Sequence, residues 1–431
     1  MEVNNFIELE RALANQEPII LLKRSIIATH SIILPPHTKL QGIVQENGSL
    51  PLLMFEHSDG VGVTVENHIS DSNIQAPTQL KSIFNAGYNE NLGHFEFKNL
   101  KLGGQFSFIM RKESKVADLN LDSIHILSAD TRGYLEQPQK YGVNVLQGAL
   151  TVYNFNPDAN SLINLKATNI SVGQLDNPVT GSGIFIAGFG DTGGRVKVEK
   201  LQTATVYSTG RIPFGVSDVI TAAVFIVNGV HAKQVIHLGE TVTYGVNDMV
   251  LDAWGEVDHW LVRDQVISYG PSGIGFVNFG VVKYFESHAP IETYGLGARG
   301  YNQYDGTLEK GLFQTIRTYG DGSVGVQISK RVGSITIKGG IQTQGGVGNS
   351  LVKGVNIELP AYALSVKSGG EIKNLNIIGD VSTAGNEVAT VQVEAGGIIE
   401  QLNITGEIEA MGNNSQPYDI TDSDLFKRFI Q

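Results

Sequence analysis

Thr241-Val-Thr-Tyr-Gly245 is followed by Val266-Ile-Ser-Tyr-Gly270, Ile291-Glu-Thr-Tyr-Gly295, Ile316-Arg-Thr-Tyr-Gly320 and Ile341-Gln-Thr-Gln-Gly345, each copy 25 residues after the last. Seven places beyond the Tyr or Gln stand Leu251, Phe276, Tyr301, Val326 and Leu351. A constant period with aligned columns marks a solenoid. The repeat is rich in Gly, Val, Ile, Thr, Tyr and Phe, residues of strands and turns rather than helices. Segments such as Ser334-Ile-Thr-Ile-Lys338 and Glu371-Ile-Lys-Asn-Leu-Asn-Ile377 alternate with the two-residue period of a strand. Glycines fall between them where the chain must turn. Three short strands and three turns fit one coil, and stacked coils pair in parallel at roughly 4.8 Å. The expected fold is all-β: a right-handed single-stranded parallel β-helix of about twelve to fourteen coils.

The phase of each column follows from alternation. The Ile and Thr/Ser columns are expected to point inward, with stacked hydroxyls satisfying one another. The Tyr column, and the residue two places before it (Val242, Ile267, Glu292, Arg317, Gln342), then points outward.

Working outward from the repeat, Asn5 can cap a short helix with Glu8 three residues later and Phe6, Leu9 and Leu13 on one face. Such a helix would cover the open end of the first coil. Ile19-Ile-Leu-Leu22, Ile26-Ile-Ala28 and Ile32-Ile-Leu34 read as strands, followed by Pro35-Pro-His-Thr-Lys-Leu-Gln-Gly42. A strand, a Leu-Pro turn and a Lys-Leu-Gly-like ending resemble the first coil of pectate-lyase-like β-helix proteins. The likeness extends along nearly the whole chain at the level of the fold. It implies a carbohydrate-active protein. Val257-Asp258-His259 is similar to an Asp-His pair of pectate lyases. The calcium-binding Asp cluster of those enzymes, and the paired Asp and Gly-His-Gly motifs of polygalacturonases, are not evident.

The chain is expected to be one domain over 1–431: a cap at 1–18, coils at 19–412 with loop insertions at 131–140, 174–194 and 211–218, and a tail at 413–431. Leu425, Phe426, Phe429 and Ile430 place a final helix at 422–431. Long loops on a rigid coil are places for binding chemistry. Asp130, Asp191 and Asp218 stand at loop edges and would make an acid pair if the loops converged, or serve as turn residues.

A net charge of −12 without a basic cluster argues against a nucleic-acid partner. The absence of cysteine excludes disulfides and Cys-ligated metal. No signal peptide or apolar run of membrane length is seen, so the expectation is a soluble protein, cytoplasmic as written or exported by a route not visible in the sequence, with no membrane partner. No cofactor and no metal site are expected.

Two surfaces are candidates for function. The first is an outward aromatic ladder, Tyr244, Tyr269, Tyr294 and Tyr319, with a second column of Trp254, Phe279 and Tyr304. Sugar rings stack on such side chains, so both columns are candidate substrate-binding residues for a polysaccharide or oligosaccharide. The structural alternative is that aromatic stacks stabilise the coils or bury themselves in a subunit interface. The second surface is the outward side of the third strand, where constant spacing sets His259, Tyr284 and Glu309 in file, Leu261 beside Glu286, and Arg263 beside His288. Trp260, Phe285 and Ile335, with Val262, Ser287, Leu312 and Ile337, are then inward. Glu286, His288, Arg263, Tyr284, His259 and Glu309 are the candidate catalytic set. In β-elimination from a uronic acid, Arg263 would neutralise the sugar carboxylate and His288 would remove the proton, assisted by Tyr284 or Glu286. The alternative is a solvated salt-bridge face. Gly295, Gly297 and Gly300 spell G-x-G-x-x-G, but no strand–helix unit frames them and they belong to the repeat.

Two function classes remain open: a carbohydrate-active protein that binds and processes a polysaccharide as lyase, glycoside hydrolase or epimerase, or a non-catalytic adhesin-like scaffold assembled as a homo-oligomer such as a trimer.

Overall fold

The structure, a computed structural model, describes residues 1–352 and 355–430. It is an all-β parallel β-helix with two short helices. The described chain divides into two compact units. One comprises Met1–Glu136, Gln147–Ser208 and Ile226–Gln234, and the other Gln137–Leu146, Thr209–Phe225 and Val235–Gln431.

In the first unit, Ile19–Leu22, Lys39–Gly42, His68–Gln75, Asn91–Gly103, Val116–Ser128 and Leu162–Val172 pair in parallel, coil upon coil. A second parallel sheet runs through Ile32–Ile33, Val61–Val63, Lys81–Asn85, Gln105–Met110, Gly148–Asn154 and Ser182–Ala187. The last of these lies inside 174–194, expected as a loop. Ser182-Gly-Ile-Phe-Ile-Ala187 is buried throughout and is a coil strand. The segment 137–146, expected partly as loop, carries an antiparallel hairpin of Gln139–Lys140 and Val143–Val145 in the second unit.

The N-terminal helix spans Phe6–Ala14. Asn5 accepts from the Glu8 amide at 3.0 Å, and the Glu8 carboxylate receives the Asn4 amide at 2.7 Å. It buries Leu9 and Ala12. The C-terminal helix is Ser423–Phe429, capped by Asp422, with Leu425 and Phe429 buried and Ile430 exposed. Gln431, the end of the expected helix, lies outside the described residues.

The second unit holds the 25-residue repeat, and its columns stand in file: Thr241↔Val266↔Ile291↔Ile316↔Ile341 and Thr243↔Ser268↔Thr293↔Thr318↔Thr343. Both are buried, as alternation requires. The hydroxyls do not bond along the stack. Thr318 donates to the Ser323 carbonyl at 2.8 Å and Thr343 to the Ala361 carbonyl at 2.7 Å. Thr241, Ser268 and Thr293 have no partner for theirs. The core ladder Leu251↔Phe276↔Tyr301↔Val326 is continued by Leu364, not Leu351. Leu351 sits in the strand Val347–Val352, which folds out with Val355–Pro360 as an antiparallel hairpin. The fifth repeat is thus opened by an insertion before the ladder resumes.

The third strand departs from constant spacing at one coil. Val281 pairs Thr307, 26 residues on, because Asp305-Gly306 adds a turn residue with Gly306 at φ 58°. Tyr284 therefore faces Lys310 rather than Glu309, and Glu286 faces Leu312. Phe313, not Leu312, is the buried residue.

The repeated glycine is dictated by packing. A Cβ at Gly270, Gly295, Gly320, Gly345, Gly385 or Gly412 would run into the carbonyl oxygen of the equivalent glycine one coil below. Gly295 belongs to this series, and a Cβ on Gly300 would strike the core side chain of Ile316, so the G-x-G-x-x-G spelling comes from coil packing. Gly295→Ala is expected to destabilise the protein by about 2 kcal/mol, as overpacking against backbone does. Gly133→Ala, where nothing lies near, should stay within about 0.5 kcal/mol. Urea unfolding of the two variants reads this, and equal midpoints would refute the packing argument.

Candidate functional site

The Tyr ladder is present. Tyr244 and Tyr269 stack at 5.5 Å, Tyr269 and Tyr294 at 5.1 Å, and Tyr294 and Tyr319 at 4.4 Å, with interplanar angles of 13°, 20° and 3°. The rings turn their faces to one another, so the column presents edges and hydroxyls to solvent. Tyr294 donates to Glu292 at 3.0 Å, and Arg317 bonds the same carboxylate at 3.0 Å. Burial and the Glu292 contact raise the Tyr294 hydroxyl above its ordinary value.

On the third strand, Glu286 is the hub. Its carboxylate receives the Tyr284 hydroxyl at 2.9 Å and lies 2.9 Å from His259 Nε2 and 3.3 Å from His288 Nε2. The His259 and Tyr284 rings stack at 5.1 Å. Burial pushes the Glu286 carboxyl up, but the bonds from Tyr284 and the two histidines outweigh it, and the net direction is down. Burial and the bond to Glu286 raise the Tyr284 hydroxyl. Such a group holds an ionised carboxylate between proton carriers. Arg263 is exposed and makes no side-chain hydrogen bond or ion pair among the described residues. Glu309 is exposed and, one residue out of register, does not stand in file with Tyr284. Asp258 is engaged by Lys283 at 2.7 Å.

Of the loop acids, Asp130 is held by Arg132 at 2.7 Å and 2.9 Å. Asp130 and Asp191 belong to the first unit and Asp218 to the second. The first unit also carries an open groove lined by His94, Asp118, Lys166, Lys197, Glu199 and Lys233. Both signs of charge alternate over it, as on a solvated face.

The second aromatic column is placed differently from the expectation of an open face. Trp254 and Tyr304 are 4% and 7% exposed. Tyr141, from the hairpin of the same unit, stacks on Phe279 at 4.4 Å and meets Trp254 edge-on at 5.2 Å, while Phe279 and Tyr304 stack at 5.0 Å. Together these rings wall a cavity of about 300 Å³, with Asn247, Asp252, Asp305, Lys330, Ser217 and Ser272 as its polar lining. Asp252 stands in register with Val277 and Asn302, on the side of the sheet facing away from the Leu251–Phe276–Tyr301 core ladder. It is fully buried, and neither carboxylate oxygen receives a hydrogen bond of proper geometry. Burial raises its carboxyl well above the ordinary value, and the neighbouring Trp254 indole offsets only part of this.

Sequence reasoning passed over Asp252. Its signal was a carboxylate among the strand residues Asp248-Met-Val-Leu-Asp-Ala253, where a charge is out of place unless it is paired or functional. Its neighbour Asp248 is the paired kind. It receives Thr221 Oγ1 at 2.6 Å and the Gly210 and Gly245 amides at 3.0 Å and 2.6 Å, and burial nevertheless pushes its carboxyl to about 6.

No helix among the described residues is long and apolar enough to cross a membrane. No protein-family model, no curated protein and no solved structure matches the chain.

The lowered Glu286 carboxyl makes a signed forecast. A carboxyl depressed in the folded state stabilises the fold above its unfolded value, and that contribution is lost as pH falls through the folded value. Wild type should exceed Glu286→Gln in urea resistance at about pH 7, with the gap closing by about pH 3. A gap unchanged across that range would show that Glu286 is not held as an ion.

Proposed function

We propose that the chain is a carbohydrate-binding protein whose saccharide subsite is the aromatic-walled cavity of the second unit. One observation carries this reading: Asp252, a fully buried carboxyl without a hydrogen bond of proper geometry, belongs to the lining of a 300 Å³ cavity walled by Tyr141, Trp254, Phe279 and Tyr304. Ligand cavities are mostly apolar with a few polar groups that fix orientation. A sugar ring matches both demands, since its C–H faces lie against aromatic rings and its polar substituents reach Asp252, Asn247 and Asp305. The volume suits one or two sugar units rather than a long chain, so a polysaccharide would enter by an end or a branch. The likeness of the first coil to pectate-lyase-like proteins supports the same ligand class.

Processing of the glycan is a further step in this reading. It rests on Glu286 with Tyr284, His259 and His288, a group equipped to hold and move a proton on an open face. Elimination and hydrolysis both use such groups, and Arg263 stands free to meet a substrate carboxylate.

Titration of the full chain with a panel of oligosaccharides, followed by calorimetry, tests the binding reading. Phe279→Ala should weaken the bound member about tenfold, the loss of one stacking partner. Assays of new reducing ends and of unsaturated uronates test processing, where Glu286→Gln should abolish turnover and leave affinity intact. Affinity unaffected by Phe279→Ala would place the glycan elsewhere.

A further inference from the structure

Asp252 has an environment that a neutral sugar satisfies poorly. A buried carboxyl without a hydrogen bond costs free energy, and a native protein keeps one where a ligand or a reaction uses it. Neither oxygen receives a hydrogen bond of proper geometry, although the Trp254 indole N–H lies beside the carboxyl. The same cavity is lined by Tyr141, Trp254, Phe279 and Tyr304, a set of rings drawn from the hairpin and from three successive coils. Tyr141 and Trp254 meet at 86°, forming a corner rather than a flat platform. Rings at such angles around a carboxylate recognise ammonium groups, because the ring quadrupoles and the anion both attract a desolvated cation.

The charges near the cavity agree. Asp305 at the lining adds a second acid, and Lys330, at the exposed rim, is the one cationic side chain of the described lining. The Arg299 guanidinium lies 6.0 Å from the Tyr304 ring centroid and is bonded to Gln327 and to the Gly297 carbonyl. An anionic sugar such as a uronate would bring its carboxylate into a lining that holds two acids, Asp252 and Asp305, and one cation, Lys330. A hydroxyl brings one donor, whereas an ammonium brings three and the matching charge.

We propose that this cavity takes a ligand group bearing a cationic amine, with Asp252 as its counter-ion and the aromatic rings as its cage, so that the glycan it selects contains hexosamine units with free amino groups. The assignment rests on the saccharide reading of the same cavity. Binding balances as follows: to the extent that burial keeps the Asp252 carboxyl protonated, that proton passes to solvent, the ammonium keeps its own, and the two form an ion pair inside the cavity. Burial favours the protonated carboxyl in the empty site.

The test is calorimetry on the full chain at neutral pH, in two buffers of different ionisation enthalpy. The ligands are a glucosamine tetramer, its fully N-acetylated counterpart, a cellulose tetramer and tetramethylammonium. The glucosamine tetramer should bind at least about tenfold more tightly than the two neutral tetramers, with net proton release. Asp252→Asn, a near-isosteric change, should erase both the preference and the proton release. Phe279→Ala should weaken all bound tetramers and preserve the preference, which separates cage from counter-ion. Equal or tighter binding of the neutral tetramers would overturn the ammonium assignment and leave the saccharide reading standing, as would a preference that survives Asp252→Asn. Tetramethylammonium bound in an Asp252-dependent way, with every tetramer unbound, would support the ammonium assignment and overturn the saccharide reading. No binding by any ligand would overturn both.

Discussion

Parallel backbone pairing between equivalent strands sets the distance from one coil to the next, and most other features of the repeat are consequences of that distance. At a rise of roughly 4.8 Å, two turns stack closely enough that a methyl group cannot stand between them. Glycine therefore recurs at 270, 295, 320 and 345, each lying against the carbonyl of the one before. The same rise is close to the separation at which aromatic rings stack. Tyr244, Tyr269, Tyr294 and Tyr319 outside, and Phe276 and Tyr301 inside at 5.3 Å, are columns of that kind.

That economy has a cost in binding. A ring packed between two others has no free face for a sugar, so the regular exterior ladder is suited to stability more than to recognition. Recognition needs a break in the regularity. The break comes from segments folded over a sheet face, where the Gln139–Lys140 and Val143–Val145 hairpin carries Tyr141 onto Trp254 and Phe279. Enclosure changes the chemistry beneath. An acid on an open face is an ordinary solvated carboxylate, whereas Asp252, covered and unpaired, favours its neutral form. Glu286 shows the opposite case: less enclosed and bonded by Tyr284, His259 and His288, it favours its ion.

Much of the repeat was legible because its signal is local and periodic. Ile291 and Thr293 inward, and Tyr294 outward, follow from two-residue alternation. The Asn5–Glu8 capping box follows from its spacing. The grouping of His259, Tyr284, Glu286 and His288 was also legible, since those residues are one period apart or two residues apart on one strand. Glu309 was misplaced because a single added residue at Asp305-Gly306 shifts register, so that Lys310 rather than Glu309 comes opposite Tyr284 while Glu309 stays on the outer face. Leu351 was misplaced for a related reason: a hairpin interrupts the count, and Leu364 takes up the column. Ser182–Ala187, inside the expected loop 174–194, is a buried strand that lies outside the 25-residue repeat.

The sequence by itself determined the coil, its period, its inward columns and its capped ends, because each depends on neighbours a fixed number of positions away. Only the tertiary structure decided which outward residues meet water. Tyr141 stands 113 residues before Trp254, and no periodicity connects the two. Whether a side chain on the outer face is solvated or enclosed depends on what distant chain is laid over it. For Asp252 that decides between a surface charge and a buried acid.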